Sequence, residues 1–358
     1  MIPFSLSINH RPFGQAELTE YSGWKIRDEN TPPWEREVYQ FIHDWLEDSP
    51  AIVQYSSGTT GRSKKIVLQK QSMIRSAENT CRHFNLNPGQ TALLCLPTRY
   101  IAGKMMVVRS MVGGLNLQLI EPRSRPDLSG TGTIDFCAMV PLQVMNSIHP
   151  AGGFPPIHKL IIGGAEILPE LESQIRKVSV DAYATYGMSE TCSHIAVRRI
   201  NGPRPEPYYH AMPGIELETD ERGCLVIKAD YLPAPVVTND RVHLEGTDRF
   251  LWLGRYDNLI NSGGIKIVPE EVESAIADKT GLACALIGIP DIKLRQRLVF
   301  VAEKNKIIAP DSLILSELQK LLPTKLQPGK IIWVDKFPRN KAMKLDRRKL
   351  AKQVYPML

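Results

Sequence analysis

Apolar positions along the chain recur with two different periods, and the balance between them shifts at two places. Between Glu35 and Leu46, residues Val38, Phe41, Ile42, Trp45 and Leu46 fall on one face of a 3.6-residue repeat, which predicts an amphipathic helix. From Ala51 to about Arg198, short apolar runs alternate with helical stretches. Residues 51–53, 66–68, 92–96, 117–120, 134–140, 159–162 and 180–185 predict strands, and residues 101–112 and 169–177 predict helices. Strands alternating with helices predict a mainly parallel sheet, whose ligand loops lie beyond the carboxyl ends of the strands.

After Arg198 the pattern turns to strict alternation at Ile215-Glu216-Leu217-Glu218, then a turn at Asp220–Gly223, then Leu225-Val226-Ile227. This predicts a hairpin-rich β subdomain over roughly residues 198–256. Residues 257–264 carry turn formers and mark a boundary. Beyond it, Pro269-Glu270-Glu271 opens a helix, since Pro is tolerated in the first turn and acids suit the positive end of the dipole. Strands at 284–287, 298–302 and 331–334, a helix at 311–322 and a last helix from Asp346 complete a small α+β domain. The expected organisation is an α/β fold: a large N-terminal domain, residues 1–256, with a parallel sheet and a β-rich subdomain, followed by a mobile C-terminal domain, residues 257–358.

Composition narrows the function. The chain has 358 residues, 43% of them hydrophobic, which suffices for a sizeable core. No apolar run is long enough to span a membrane, and Met1-Ile2-Pro3-Phe4-Ser5 lacks the basic-then-apolar order of a signal peptide. The six cysteines are scattered without Cys-x-x-Cys spacing, so neither zinc nor a disulfide framework is expected, and a reduced cytoplasmic setting is. The net charge of +6 is concentrated at Arg339, Lys341, Lys344, Arg347, Arg348, Lys349 and Lys352. Such a cluster admits a nucleic-acid partner, but no aromatic stacking pattern accompanies it, and anionic nucleotides or a solvated basic helix face explain the same excess.

The most specific chemistry sits in Tyr55-Ser56-Ser57-Gly58-Thr59-Thr60-Gly61-Arg62-Ser63-Lys64-Lys65, a hydroxyl-rich loop between two predicted strands. Backbone N–H groups, hydroxyls and ammonium groups are what a polyphosphate needs. It is not a Walker A loop, because Gly, four residues, then Gly-Lys-Ser/Thr does not occur.

The loop resembles the signature of the adenylate-forming superfamily, which includes acyl-CoA ligases, peptide-synthetase adenylation domains and luciferases. Four further segments resemble that family in the right order. They are Ile162-Gly163-Gly164-Ala165-Glu166, Tyr186-Gly187-Met188-Ser189-Glu190-Thr191, Asp240 followed by Gly254–Ile260, and Pro338–Arg347. The resemblance implies ATP, Mg2+ and CoA as cofactor and co-substrates, with a small-molecule carboxylic acid as partner. It implies no nucleic acid and no membrane, and it leaves a homo-oligomer open.

The resemblance also assigns residues. Ser56, Ser57, Gly58, Thr59, Thr60, Gly61 and Lys64 would hold the β- and γ-phosphates. Gly163, Gly164, Ala165 and Glu166 would flank adenine, with Tyr186 stacked on it beside Gly187. Ser189, in place of the more usual Thr, would bond the α-phosphate, and Glu190 would bind the metal. Asp240 and Arg255 would take the ribose hydroxyls. Asp257 would be the hinge, and Gly263 and Gly264 would line the CoA channel. Lys344 would bridge the acid and the α-phosphate, although Met343 stands where the family has Gly. Arg99, Tyr100 and Lys104 would line the acyl pocket, with Tyr100 replacing a frequent gating His. Only 54 residues precede Tyr55, so the upstream α/β portion is expected to be much reduced.

Within the family, the short length and Leu96-Pro97-Thr98-Arg99-Tyr100-Ile101-Ala102-Gly103-Lys104 resemble the o-succinylbenzoate–CoA ligases of menaquinone synthesis. The alternatives are another aryl or acyl acid–CoA ligase, a carrier-loading adenylating enzyme, or a nucleotide-binding protein without catalysis. Arg99, Lys104 and Arg109 add a charge argument for a dianionic acid, because an unpaired cation is costly in an apolar tunnel.

Overall fold

The computed structural model describes residues 5–56, 64–149, 152–202, 204–304, 309–339 and 345–357. The chain divides into two compact units. The first comprises Met1–Gly164, Gln174–Leu217 and Ile227–Val236, and the second Ala165–Ser173, Glu218–Val226 and Val237–Leu358.

In the first unit, β1 (Ser5–Ile8) and β2 (Arg11–Gly14) lead into helices α1 (Gln15–Arg27) and α2 (Pro33–Leu46). The hairpin β3 (Ala51–Ser56) and β4 (Lys64–Gln69) follows, then α3 (Lys70–His83), β5 (Thr91–Leu94), α4 (Ile101–Gly113) and β6 (Asn116–Leu119). After these come β7 (Ile134–Met139), α5 (Pro141–Ser147), β8 (Ile157–Ile162), β9 (Asp181–Gly187), β10 (His194–Arg199) and β11 (Tyr209–Ala211); α6 (Pro169–Ile175), between β8 and β9 in the chain, belongs mostly to the second unit. The strands run in the order β11-β10-β9-β8-β7-β5-β6-β1-β2, and β3 and β4 form a separate two-stranded sheet. Neighbours from β9 through β8, β7, β5 and β6 to β1 are parallel, while β10 on β9 and β2 on β1 are antiparallel. Continuous apolar runs make these central strands because both faces are covered: Leu93, Phe136, Cys137 and Leu160 are wholly buried.

The expected helix over residues 35–46 is α2, while β1, β2 and α1 before it were not expected. A strand pair and two helices precede the β3–β4 hairpin, and β1 extends the sheet beside β6. Helix α3 is likewise absent from the hydrophobic reading. Its buried face is made of Ser72, Met73, Ser76, Ala77 and Thr80, so small and polar residues do the packing.

Strands β12 (Ile215–Thr219) and β13 (Cys224–Ala229) lie where the chain passes between units. In the second unit, β14 (Val236–Glu245) and β15 (Arg249–Arg255) form an antiparallel ladder. Residues 257–264, expected as a turn, hold a short strand β16 (Ile260–Ser262), which pairs with β17 (Ile265–Ile267) around Gly263-Gly264. Both glycines have positive φ, +57° and +83°, as the tight primed hairpin turn requires. Helix α7 (Pro269–Thr280), β18 (Cys284–Asp291), β19 (Arg295–Glu303), α8 (Asp311–Leu321), β20 (Ile331–Val334) and α9 (Arg347–Val354) complete the unit. Alternation along β18 and β19 gives two cores. Leu286, Leu298 and Phe300 pack with Val272 and Ile276 of α7 and Ile314 and Leu318 of α8. Ile287, Val299 and Val301 face Leu350 and Val354 of α9.

One close approach fixes the start of α4. A Cβ on Gly103 would collide with the backbone carbonyl of Pro97, so the first turn of α4 lies directly against the turn before it. Gly103→Ala is expected to cost about 1–3 kcal/mol of unfolding free energy, the range for overpacking against backbone. Denaturant unfolding checks this, and an unchanged midpoint would mean that the turn gives way freely.

Candidate active site

The parallel strands deliver the glycine-containing segments to their carboxyl ends. Gly163 follows β8, and Gly187 ends β9. Gly163 sits where a Cβ would strike the Thr185 hydroxyl, which donates to the Ile162 carbonyl at 3.1 Å. The Tyr186 ring lies beside Tyr209, centroids 6.1 Å apart and edge to face.

At Gly187 the chain passes so close to the backbone of Ser193 and His194 that no side chain fits. Between these points it makes the 3-10 turn Ser189–Thr191. Thr191, fully buried, fastens that turn: its Oγ1 accepts from the Met188 N–H at 3.1 Å and donates to the Ser193 carbonyl at 2.7 Å. Glu190 is thereby presented at the surface, 3.6 Å from the Lys64 Nζ. Lys64 opens β4 and pairs in register with Ser56 at the end of β3. The two ends of the proposed phosphate loop and the proposed metal ligand thus come together. Ser57, Gly58, Thr59, Thr60 and Gly61 lie outside the described residues, as do Met343, Lys344 and Lys341.

In the second unit, Asp240 is nearly buried and paired in register with Arg255 across β14 and β15. The Arg255 Nη1 stands 3.5 Å from the Asp240 Oδ1, and the Trp252 indole N–H reaches the same oxygen at 3.4 Å. Arg255 also donates to Asp257 at 2.8 Å, and Asn239 donates to its other oxygen at 3.0 Å. Asp240, Arg255 and Asp257 therefore form one linked group.

Arg347, at the start of α9, is gripped by both oxygens of Glu273 at 2.6 and 2.7 Å and by Glu270 at 3.3 Å. The two carboxylates push its pKa up, against the effect of burial. Glu166 joins this charged neighbourhood. Loss of hydration around its carboxyl, then repulsion by Glu273 and Glu270, pushes its pKa up to about 7, against the pull of Arg347 and Arg339.

The three cations of the charge argument have separate fates. Arg99 is exposed, 3.3 Å from the Glu37 carboxylate, and its guanidinium covers the Tyr100 ring. Lys104 donates to the Gln54 Oε1 at 2.8 Å and the Val53 carbonyl at 3.3 Å. Arg109 is 1% exposed and has no carboxylate partner among the described residues. Its Nη2 donates to the Ser193 Oγ at 2.5 Å and lies 3.3 Å from the His194 Nδ1, and its Nη1 reaches only the Met106 sulfur at 3.7 Å. Its Nε–H has no partner among the described residues. Burial pushes its pKa down to about 10, which leaves it charged at neutral pH.

Sequence reasoning passed over Thr80, Ser193 and His194. No periodicity marks them. The available signal was the pair Ser193-His194 directly before the apolar Ile195-Ala196-Val197 and after a glycine-anchored turn.

The chain belongs to the AMP-binding enzyme family, whose model matches residues 13–224. Among solved structures it resembles an acyl-CoA synthetase (AMP-forming)/AMP-acid ligase II-like protein from Dyadobacter fermentans. The two are 33% identical, with a TM-score of 0.61, over 96% of this chain and 99% of that one. It is also 25% identical over 340 residues to the 2-succinylbenzoate–CoA ligase of Enterococcus faecalis, covering 84% of this chain and 69% of that protein. The fold recurs in the o-succinylbenzoate CoA synthetase of Bacillus subtilis, solved in complex with its acyl-adenylate intermediate. There the identity is 20% and the TM-score 0.67, over 85% of this chain and 69% of that one.

The Glu166 shift carries a pH signature. The folded state binds this proton up to about pH 7, the unfolded state only in the ordinary range near 4.5, so stability falls as pH rises between them. Glu166 is exposed as a residue, and solvent screening keeps the effect small. Glu166→Gln is expected to raise the melting temperature at pH 8 and leave it nearly unchanged at pH 5. An equal change at both values would contradict the assignment.

Proposed function

We propose that this protein is an ATP-dependent acid–CoA ligase working through an acyl-adenylate, and that its acid is the dianion o-succinylbenzoate. The buried Arg109, with no carboxylate partner among the described residues, carries the substrate assignment. Arg99 and Lys104 already have oxygen partners. A buried guanidinium without an anion is costly, and a second substrate carboxylate would supply a charge-assisted partner. The Enterococcus and Bacillus relatives, named for this same acid, support the choice.

The chemistry then divides among the residues that the resemblance assigns. A carboxylate oxygen of the acid attacks the α-phosphorus of ATP, the bond to the β-phosphate oxygen breaks, and pyrophosphate leaves. Two anions approach in this step, so catalysis consists chiefly of positioning and charge neutralisation. Lys64 and Ser56, with the loop between them, would hold the departing phosphates, and Lys344 would neutralise the reacting centre. Ser189 would bond the α-phosphate. Mg2+ would supply further neutralisation, and Glu190 is the carboxylate suited to hold it. Tyr186 and Gly163–Glu166 would flank adenine, and Asp240 and Arg255 would take the ribose hydroxyls.

In the second step the CoA sulfur attacks the acyl carbon, AMP leaves, and the thiol proton passes to solvent. Asp257 would be the hinge for residues 257–358 between the two steps. Gly263 and Gly264 would line the pantetheine channel, where the absence of side chains permits close approach.

The test is the ratio of kcat/KM for o-succinylbenzoate to that for benzoate. The ratio should exceed one in the native protein. In Arg109→Met it should fall about a hundredfold, as for loss of a buried charged partner. Preference for benzoate or a medium-chain fatty acid in the native protein would overturn the dianion assignment and leave a general acyl-CoA ligase.

A further inference from the structure

Arg109 cannot orient itself. It sits on α4 with only a thioether beside Nη1, so its direction depends on what meets Nη2. Two groups do, and both come from the stretch just after the Ser189–Thr191 turn. Ser193 Oγ accepts at 2.5 Å, and the His194 Nδ1 stands at 3.3 Å. The Ser193 hydroxyl also lies 3.4 Å from that ring nitrogen.

The protonation pattern of His194 follows from its other end. Its Nε2 is 3.3 Å from the Thr80 Oγ1, and the Thr80 hydroxyl donates to the Ser76 carbonyl at 2.9 Å. A hydroxyl whose proton is already committed can only accept from the imidazole. Nε2 therefore carries the proton, and Nδ1 turns its lone pair to the guanidinium. Burial and the neighbouring Arg109 both disfavour the imidazolium, with His83 adding to the effect, so the ring stays neutral. A β-bulge between His194 and Ala196 sets the ring's direction, and Gly187 gives the backbone of His194 the room it needs.

We propose that His194 is a positioning residue for acid selection: held by Thr80, its Nδ1 lone pair fixes the Arg109 guanidinium for the distal carboxylate of the substrate. This rests on the assignment of Arg109 to that carboxylate. Ser193 and His194 take the two hydrogens of Nη2. The Nε and Nη1 hydrogens, without oxygen partners among the described residues, are left for the incoming anion. His194 touches no reacting atom, and its effect passes through Arg109.

The experiment compares two nearly isosteric variants by the o-succinylbenzoate to benzoate ratio of kcat/KM. His194→Leu removes the acceptor, and the ratio should fall about tenfold, chiefly through the KM for the dicarboxylate. His194→Asn places a carbonyl oxygen near the Nδ1 position and should keep the ratio within about threefold of the native value. In an Arg109→Met background, His194→Leu should cause no further fall. Equal ratios for the Leu and Asn variants, or a further fall in that background, would overturn the proposal. Should His194→Leu fail to fold, Thr80→Val gives the second reading: it frees the imidazole, and the ratio must fall in the same direction. A native protein that does not favour o-succinylbenzoate removes the substrate assignment itself, and that is visible before any variant is made.

Discussion

Both halves of the proposed site hang from one close approach. Where Gly187 meets the backbone of Ser193 and His194, there is no room for a side chain. The turn that this crossing closes carries Glu190 toward Lys64, on the nucleotide side. The residues that leave it, Ser193 and His194, meet the guanidinium of Arg109. Thr191, buried beneath, locks the turn through Met188 and Ser193. A glycine whose φ is unremarkable is thus required for reasons of space, and one seven-residue excursion joins the proposed phosphate side of the site to the proposed acid side.

Charge is distributed unevenly over this frame, and the unevenness is informative. In the second unit Arg347 is paired with Glu273 and Glu270, and Asp240 with Arg255. Arg109 in the first unit is held only by neutral acceptors. Neutral dipoles can orient a guanidinium, but they do not cancel its charge. A site built this way favours a ligand that brings the missing anion.

Much of the fold was legible because the central strands are buried on both faces and read as continuous apolar runs. The signature segments at Tyr55, Ile162 and Tyr186 were legible for a different reason: glycine and hydroxyl residues occur there in an order that few other functions require. Helix α3 was not legible. Its buried face is serine, threonine and alanine, which no hydrophobic period reveals. Strands β1 and β2 are four residues each, too short to register as alternation. The environment of Arg109 was also out of reach. The charge at that position was visible, but whether an acid stood beside it depends on Ser193 and His194, 84 and 85 residues away. The resemblance set Arg99 and Lys104 in the acyl pocket and left Arg109 to the charge argument alone, and tertiary packing gives the first two oxygen partners while Arg109 has no anion among the described residues.

The central claim is that a carboxylate and ATP meet here to form an adenylate before CoA takes part. Exchange of labelled pyrophosphate into ATP, with CoA withheld, tests it most directly. The account predicts rapid exchange that depends on added o-succinylbenzoate and stops when the acid is left out. Exchange that ignores the acid, or release of ADP and phosphate in place of AMP and pyrophosphate, would contradict it.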